Sequence, residues 1–153
     1  MDNNDILRRL RYTFDFGDSE MMNIFQLAGY PATRAQISDW LKKFNLPGHQ
    51  PMEDSMMATF LNGLIVLKRG KKEGAQPVIE DQLNNNIILR KLKIALNLQN
   101  DDILDILKLM DVSISKHELS AFFRNPNQSQ YRPCQNQILR NFLHGLQLKY
   151  RTA

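Results

Sequence analysis

Phe60-Leu61-Asn62-Gly63-Leu64 recurs 82 positions later in the chain as Phe142-Leu143-His144-Gly145-Leu146. The same offset aligns residues 4–69 with residues 86–151 without a gap, and 15 of the 66 aligned pairs are identical. Chance similarity does not stay in register over such a length. The sequence therefore contains an internal duplication, and we assign residues 1–69 to the first repeat unit, 70–85 to a linker and 86–153 to the second unit.

Each unit contains four segments in which apolar residues recur at helical spacing, and neither unit shows an alternating strand pattern longer than a few residues. The third segment begins with a capping box in both units, formed by Thr33 with Gln36 and by Ser115 with Glu118. In this motif the hydroxyl and the later side chain satisfy amides that the helix leaves unpaired. The pattern predicts an all-α protein.

Other boundary residues also repeat between the units. We expect Asp18 and Asn100 to cap the second helices, because short polar side chains favour that position. Pro51 and Pro133 fit the first position of the fourth helices, where proline needs no amide donor. Helical spacing in the third helix of the first unit places Phe44 on the core side.

A unit of roughly 66 residues forms only a marginal core by itself, so we expect the two units to pack together. Gly63 and Gly145 stand at the same place in the fourth helix of each unit. Glycine inside a helix costs about 1 kcal/mol relative to alanine, so its recurrence indicates that another helix approaches closely there. Overpacking by Gly63→Leu should then cost about 1–3 kcal/mol.

Composition and length exclude several protein classes. Hydrophobic residues make up 42% and charged residues 24% of the chain, close to globular averages. No apolar run approaches the roughly 18 residues that a membrane helix needs, and the polar N-terminus does not resemble a signal peptide. The single cysteine, Cys134, cannot form an internal disulfide. These features predict a cytoplasmic protein without membrane association.

No group of residues predicts catalysis. His49, His117 and His144 are scattered and lack the neighbouring ligands of a metal site. Cys134 has no histidine nearby in sequence to act as a base, so we interpret it as a small core residue. No phosphate-binding glycine motif occurs. We therefore expect a non-enzyme with no cofactor, no metal and no evident small-molecule ligand.

The hypothesis that we favour is a binding module for another protein or for a second copy of the chain. The fourth helix of the first unit ends in Leu64-Ile65-Val66-Leu67, whereas the second unit reads Leu146-Gln147-Leu148-Lys149. A helix that is apolar on every side must be covered, either by the other repeat or by a partner. Ile65 and Val66 are the candidate interaction surface.

The alternative hypothesis is nucleic-acid binding. Residues 86–153 carry ten basic and five acidic side chains, whereas residues 1–69 carry eight of each. The second and third helices of a unit also resemble a helix-turn-helix in outline. The candidate contacts are Arg8, Arg9, Arg11, Arg90, Lys91, Lys93, Lys116 and Arg124.

Three motifs in order resemble a known family. They are Ile24-Phe25-x-Leu27-Ala28-Gly29, Trp40-Leu41-Lys42-Lys43, and Phe60-Leu61-Asn62-Gly63-Leu64-Ile65 followed by Lys68-Arg69-Gly70. In these motifs the chain resembles the YehS-like proteins, a bacterial family built from a duplicated domain of unknown function. The resemblance implies a bacterial cytoplasmic protein and carries over no activity, cofactor or site residue. The second unit departs from the pattern at Asp111 and Tyr150, which replace a glycine and a lysine.

Overall fold

The structure is a computed structural model that describes residues 1–74 and 76–151, and this part of the chain contains eight α-helices and no β-strand. The all-α prediction is confirmed. The helices are α1 (Asn3–Phe14), α2 (Asp18–Leu27), α3 (Arg34–Leu41), α4 (Asp54–Arg69), α5 (Asn85–Ala95), α6 (Asn100–Lys108), α7 (Lys116–Phe122) and α8 (Asn136–Tyr150).

The two repeat units pack on each other reciprocally. Helix α1 of the first unit lies against α8 of the second, and α5 of the second lies against α4 of the first. Within the units, α2 packs on α4 and α6 packs on α8. One hydrophobic core runs through both units and includes Leu7, Phe60, Leu89 and Phe142. The arrangement resembles a two-fold symmetric dimer joined into one chain, in which each unit supplies apolar surface that the other needs.

A buried asparagine at the start of each unit fixes the segment between the third and fourth helices. Asn4 Nδ2 donates to Trp40 O and to Gln50 O, both at 2.8 Å, and Asn4 Oδ1 accepts from Met52 N at 3.0 Å. Satisfied buried amides of this kind specify one chain path, because an unmade bond would leave a buried polar group without a partner. The equivalent bonds of the second unit join Asn86 to Phe122 O, Arg132 O and Cys134 N.

The repeated glycine lies where two helices meet. A Cβ atom built on Gly63 would lie 1.9 Å from Ile24 O, and one built on Gly145 would lie 2.4 Å from Ile106 O. These oxygens belong to the backbone of α2 and α6. The missing side chain is therefore what allows α4 to lie on α2 and α8 to lie on α6 at this distance.

The third helices begin with reciprocal capping bonds. Thr33 Oγ1 accepts from Gln36 N at 3.1 Å, and Thr33 N donates to Gln36 Oε1 at 2.9 Å. Ser115 Oγ accepts from Glu118 N at 3.0 Å, and Ser115 N donates to Glu118 Oε1 at 3.2 Å. Each pair satisfies two amides at the exposed start of a short helix.

The caps of the second helices lie one residue earlier than we predicted. Asp18 and Asn100 are the first helical residues, and the N-cap residues are Gly17 and Gln99. In each unit an acidic side chain three residues beyond the cap accepts from the backbone N–H of the cap residue, at 3.1 and 2.7 Å. This bond sets the boundary without help from a cap side chain.

The prediction for the prolines and for Phe44 was wrong. Helices α4 and α8 begin three residues after Pro51 and Pro133, because the buried asparagine of each unit holds the intervening backbone in an extended path. Phe44 is 83% exposed, since α3 ends at Leu41 and the helical spacing does not continue beyond that residue.

Candidate binding grooves

An open cleft of about 340 Å³, here called the apolar cleft, lies between the end of α4, helix α5 and the linker. Its floor contains Ile65 and Val66 from α4 and Ile87 and Ile94 from α5. Ile94 is 46% exposed, whereas Ile65 and Val66 are half-buried. The apolar end of α4 is therefore covered in part by the second unit, and what remains open forms this cleft.

A buried lysine holds the linker beside the apolar cleft. Lys91 Nζ donates to Asn62 Oδ1 at 2.6 Å and lies 3.1 Å from Glu80 Oε1 of the linker. Asn62 Nδ2 in turn donates to Val78 O of the linker at 3.2 Å. Lys91 is 7% exposed, and its ammonium group is engaged by acceptors within the protein. As a nucleic-acid contact it stays a prediction.

A second groove, here called the basic groove, lies between α1 and α8 and has a volume of about 510 Å³. Its lining is charged, in contrast to the apolar cleft. It includes Asp5, Arg8, Arg9, Tyr12, Lys43 and Arg140. Arg8 forms an ion pair with Asp5 and also donates to Lys42 O at 3.0 Å.

The duplication relates the two grooves. At an offset of 82 positions, five lining residues of the basic groove correspond to lining residues of the apolar cleft. The corresponding pairs are Asp5 with Ile87, Arg8 with Arg90, Arg9 with Lys91, Tyr12 with Ile94, and Gln147 with Ile65. The same architecture thus provides one groove with an apolar floor and one with a charged floor.

The remaining predicted nucleic-acid contacts line neither groove. Lys93 Nζ donates to Asn100 Oδ1 at 2.7 Å, and Lys116 Nζ lies 3.3 Å from Asp101 Oδ1. Arg124 is half-buried just beyond the end of α7, and Arg11 is exposed on α1. Of the predicted contacts, Arg8 and Arg9 line the basic groove, and Arg90 and the buried Lys91 line the apolar cleft.

The titratable groups considered for catalysis are dispersed. Cys134 is buried, and burial raises the pKa of its thiol to about 12. His49 Nδ1 lies 2.7 Å from Lys42 O. Burial, and then the nearby charge of Arg9, lowers the pKa of His144. Within residues 1–74 and 76–151, no group of three or more His, Cys, Asp or Glu side chains is placed to hold a metal ion.

Sequence reasoning did not assign Lys43, Arg140 or Ile94 to a site. Arg140 lies in α8, and its counterpart in the first unit is the buried Ala58. In the alignment of the two units, a small apolar residue of the first unit is thus replaced by arginine in the second. This replacement was the one feature of the sequence that could have indicated a site at Arg140. The replacement indicates a groove residue only once the structure shows that α8 packs against α1.

The chain is thus a tandem duplication of a four-helix unit, and the two units share one hydrophobic core. A family model described as "Protein of unknown function (DUF1456)" matches it twice, over residues 3–70 and 85–152. The chain belongs to this family. It is 43% identical over 145 residues to "Uncharacterized protein YehS" of Escherichia coli (strain K12), an alignment that covers 94% of this chain and 92% of that protein. No solved structure matches the chain. The resemblance found in the sequence motifs is confirmed.

None of the helices in the described part of the chain combines the length and the apolar character that crossing a membrane requires.

Proposed function

We propose that this chain is a non-catalytic binding protein whose apolar cleft takes an acidic, amphipathic segment of a partner protein. The observation that carries the proposal is the open floor of Ile65, Val66, Ile87 and Ile94 between the two units. Apolar floors with a few polar groups at the rim are the usual form of peptide-binding grooves.

The charge of the rim defines the partner's chemistry. Arg69, Lys72 and Arg90 line the cleft, while the carboxylate of Glu80 is opposed by Lys91 within the protein. The rim is left with a positive excess, which attracts a segment that carries acidic residues beside its apolar ones. The volume of about 340 Å³ suits a few apolar side chains from such a segment.

Selection from a random peptide library against the wild-type protein tests this proposal directly. We expect enriched peptides to combine apolar residues with aspartate or glutamate. Ile94→Asp places a charge on the cleft floor and should abolish their binding, and the protein should still fold because Ile94 is 46% exposed. Leu109→Asp is the matched control, since Leu109 is 51% exposed and lies outside the cleft lining.

Two results would overturn the proposal. One is peptide binding that Ile94→Asp and Leu109→Asp weaken equally. The other is a wild-type protein that light scattering shows as a dimer and that Ile94→Asp converts to a monomer, because the occupant would then be a second copy of the chain.

A further inference from the structure

The basic groove holds more positive charge than its own carboxylate neutralises. Asp5 is engaged by Arg8, which leaves Arg9, Lys43 and Arg140 on the lining. Within residues 1–74 and 76–151, no carboxylate lies within ion-pair distance of these three cations. The groove is therefore an electropositive concavity, in which low-dielectric walls strengthen the field on an anion.

Arg9 is the most recessed of these cations. Burial lowers its pKa; the Asp5 carboxylate opposes this change, and the adjacent charge of Arg140 adds to it. Both guanidinium groups line the same groove, and an arginine cannot relieve repulsion from a like charge by losing its proton. A bound anion would relieve it.

The other groove shows that the fold can neutralise a cation at this position. Lys91 is the counterpart of Arg9, and Asn62 and Glu80 surround its ammonium group with acceptors. The counterpart of Asn62 in the second unit is His144, whose ring lies near Arg9 and has a lowered pKa. The neutral His144 brings no negative charge, so Arg9 lacks the compensation that Lys91 has.

An aromatic ring lies beside the cations. Tyr12 lines the groove and is 46% exposed, and Arg151 Cζ lies 3.8 Å from the centre of its ring. Arg151 also donates to Tyr12 O at 2.6 Å, which holds the guanidinium in place. Cations that follow a groove together with an exposed aromatic ring are the elements from which proteins build sites for single-stranded nucleic acids.

We propose that the basic groove binds single-stranded nucleic acid, with Arg9, Lys43 and Arg140 on the phosphates and Tyr12 against a base. A single strand can enter the cleft between α1 and α8 and reach the recessed Arg9. A duplex presents a convex backbone and is read by an exposed recognition helix. In this protein the recognition helix would be α3 or α7. The first cation of α3, Arg34, lies 3.8 Å from Asp18 of α2. The first cation of α7, Lys116, lies 3.3 Å from Asp101 of α6.

Fluorescence anisotropy with labelled single-stranded DNA and RNA of about 15 nucleotides, a length near the upper site size of one binding module, tests the proposal on the full chain. With three to four phosphate contacts, the logarithm of affinity should fall against the logarithm of salt with a slope of about −2 to −3. Affinity should then weaken about 20- to 60-fold between roughly 50 and 200 mM salt.

Matched variants identify the groove. Arg140→Glu reverses an exposed charge on the lining and should weaken binding about tenfold or more at low salt, whereas Lys108→Glu makes the same charge change outside the lining and should leave it within about twofold. Tyr12→Leu should weaken binding about fivefold or more, and Tyr12→Phe should retain it, because stacking needs the ring and not the hydroxyl.

The competing outcomes are separable. Equal losses for Arg140→Glu and Lys108→Glu would show that net charge alone attracts the strand, and would overturn the proposal. So would a duplex that binds as tightly as the single strand, or polyglutamate that displaces the labelled strand as well as unlabelled DNA does. Ile94→Asp lies in the other groove and should leave strand binding unchanged, so this test and the peptide test fail independently.

Discussion

Replacing Gly63 by alanine should force α2 and α4 apart. The new Cβ atom would lie 1.9 Å from Ile24 O and 2.8 Å from Ile24 C, whereas ordinary van der Waals contact begins at 3.4 Å. The difference between 3.4 and 1.9 Å requires a separation of about 1.5 Å at this point. Because the opposing atoms belong to the backbone, no side-chain rotation can relieve the clash.

Two effects of opposite sign determine the size of the loss. Alanine gains about 1 kcal/mol over glycine inside a helix, while overpacking costs about 1–3 kcal/mol and occasionally more. A clash this close to the backbone lies at the upper end, so we expect a net loss of about 2 kcal/mol, or a melting temperature lowered by about 4–8 °C. Urea unfolding followed by circular dichroism measures the free energy of unfolding directly.

The other glycines supply the controls. Gly145→Ala brings the Cβ atom to 2.4 Å from Ile106 O and should cost less than Gly63→Ala, while Gly17→Ala meets only Glu20 Oε1, at 3.6 Å. At the latter position the loss should not exceed about 1 kcal/mol, the value of an N-cap preference. A Gly63→Ala protein as stable as the wild type would refute the close-approach argument, and a larger loss at Gly145 would refute its distance dependence.

Three further outcomes are expected. Asn86→Ala removes three hydrogen bonds and leaves buried backbone groups unpaired, so urea unfolding should show a loss of about 2 kcal/mol or more; a loss below about 0.5 kcal/mol would contradict this role. Lys91→Met removes the charge opposite Glu80, so limited trypsin digestion should cut the linker at Lys71 or Lys72 faster than in the wild type, and an unchanged rate would show that the linker does not depend on this pair. The thiol of Cys134, buried and with a pKa of about 12, should resist alkylation at pH 8 in the native protein and react once the chain is unfolded in urea; rapid native labelling would contradict its burial.

Most of the local structure could be predicted because its signals are local. The capping boxes that start α3 and α7 depend on side chains three residues apart. The errors arose where a distant residue decides the path. Pro51 looked like a helix start, yet the amide of the next residue is bonded to Asn4, 48 residues away.

The candidate sites could be predicted only in part. Ile65 and Val66 were identified from the difference between the repeats, but Ile94 enters the apolar cleft only because α5 lies on α4. Arg8 and Arg9 were identified as a basic cluster, but Arg140 joins them from a position 131 residues further along the chain than Arg9. Neither groove exists within a single repeat unit.

By itself the sequence determined that this protein is a duplicated all-α chain with a glycine at one helix–helix seam in each unit, because repetition, periodicity and capping are patterns of near neighbours. The tertiary structure decided which of two equivalent cations stays available. Lys91 is buried against Asn62 and Glu80, whereas Arg9 faces Arg140 and His144 in an open groove. Burial and charge compensation depend on groups that the fold brings together from distant parts of the chain, and for that reason no pattern of neighbouring residues reveals them.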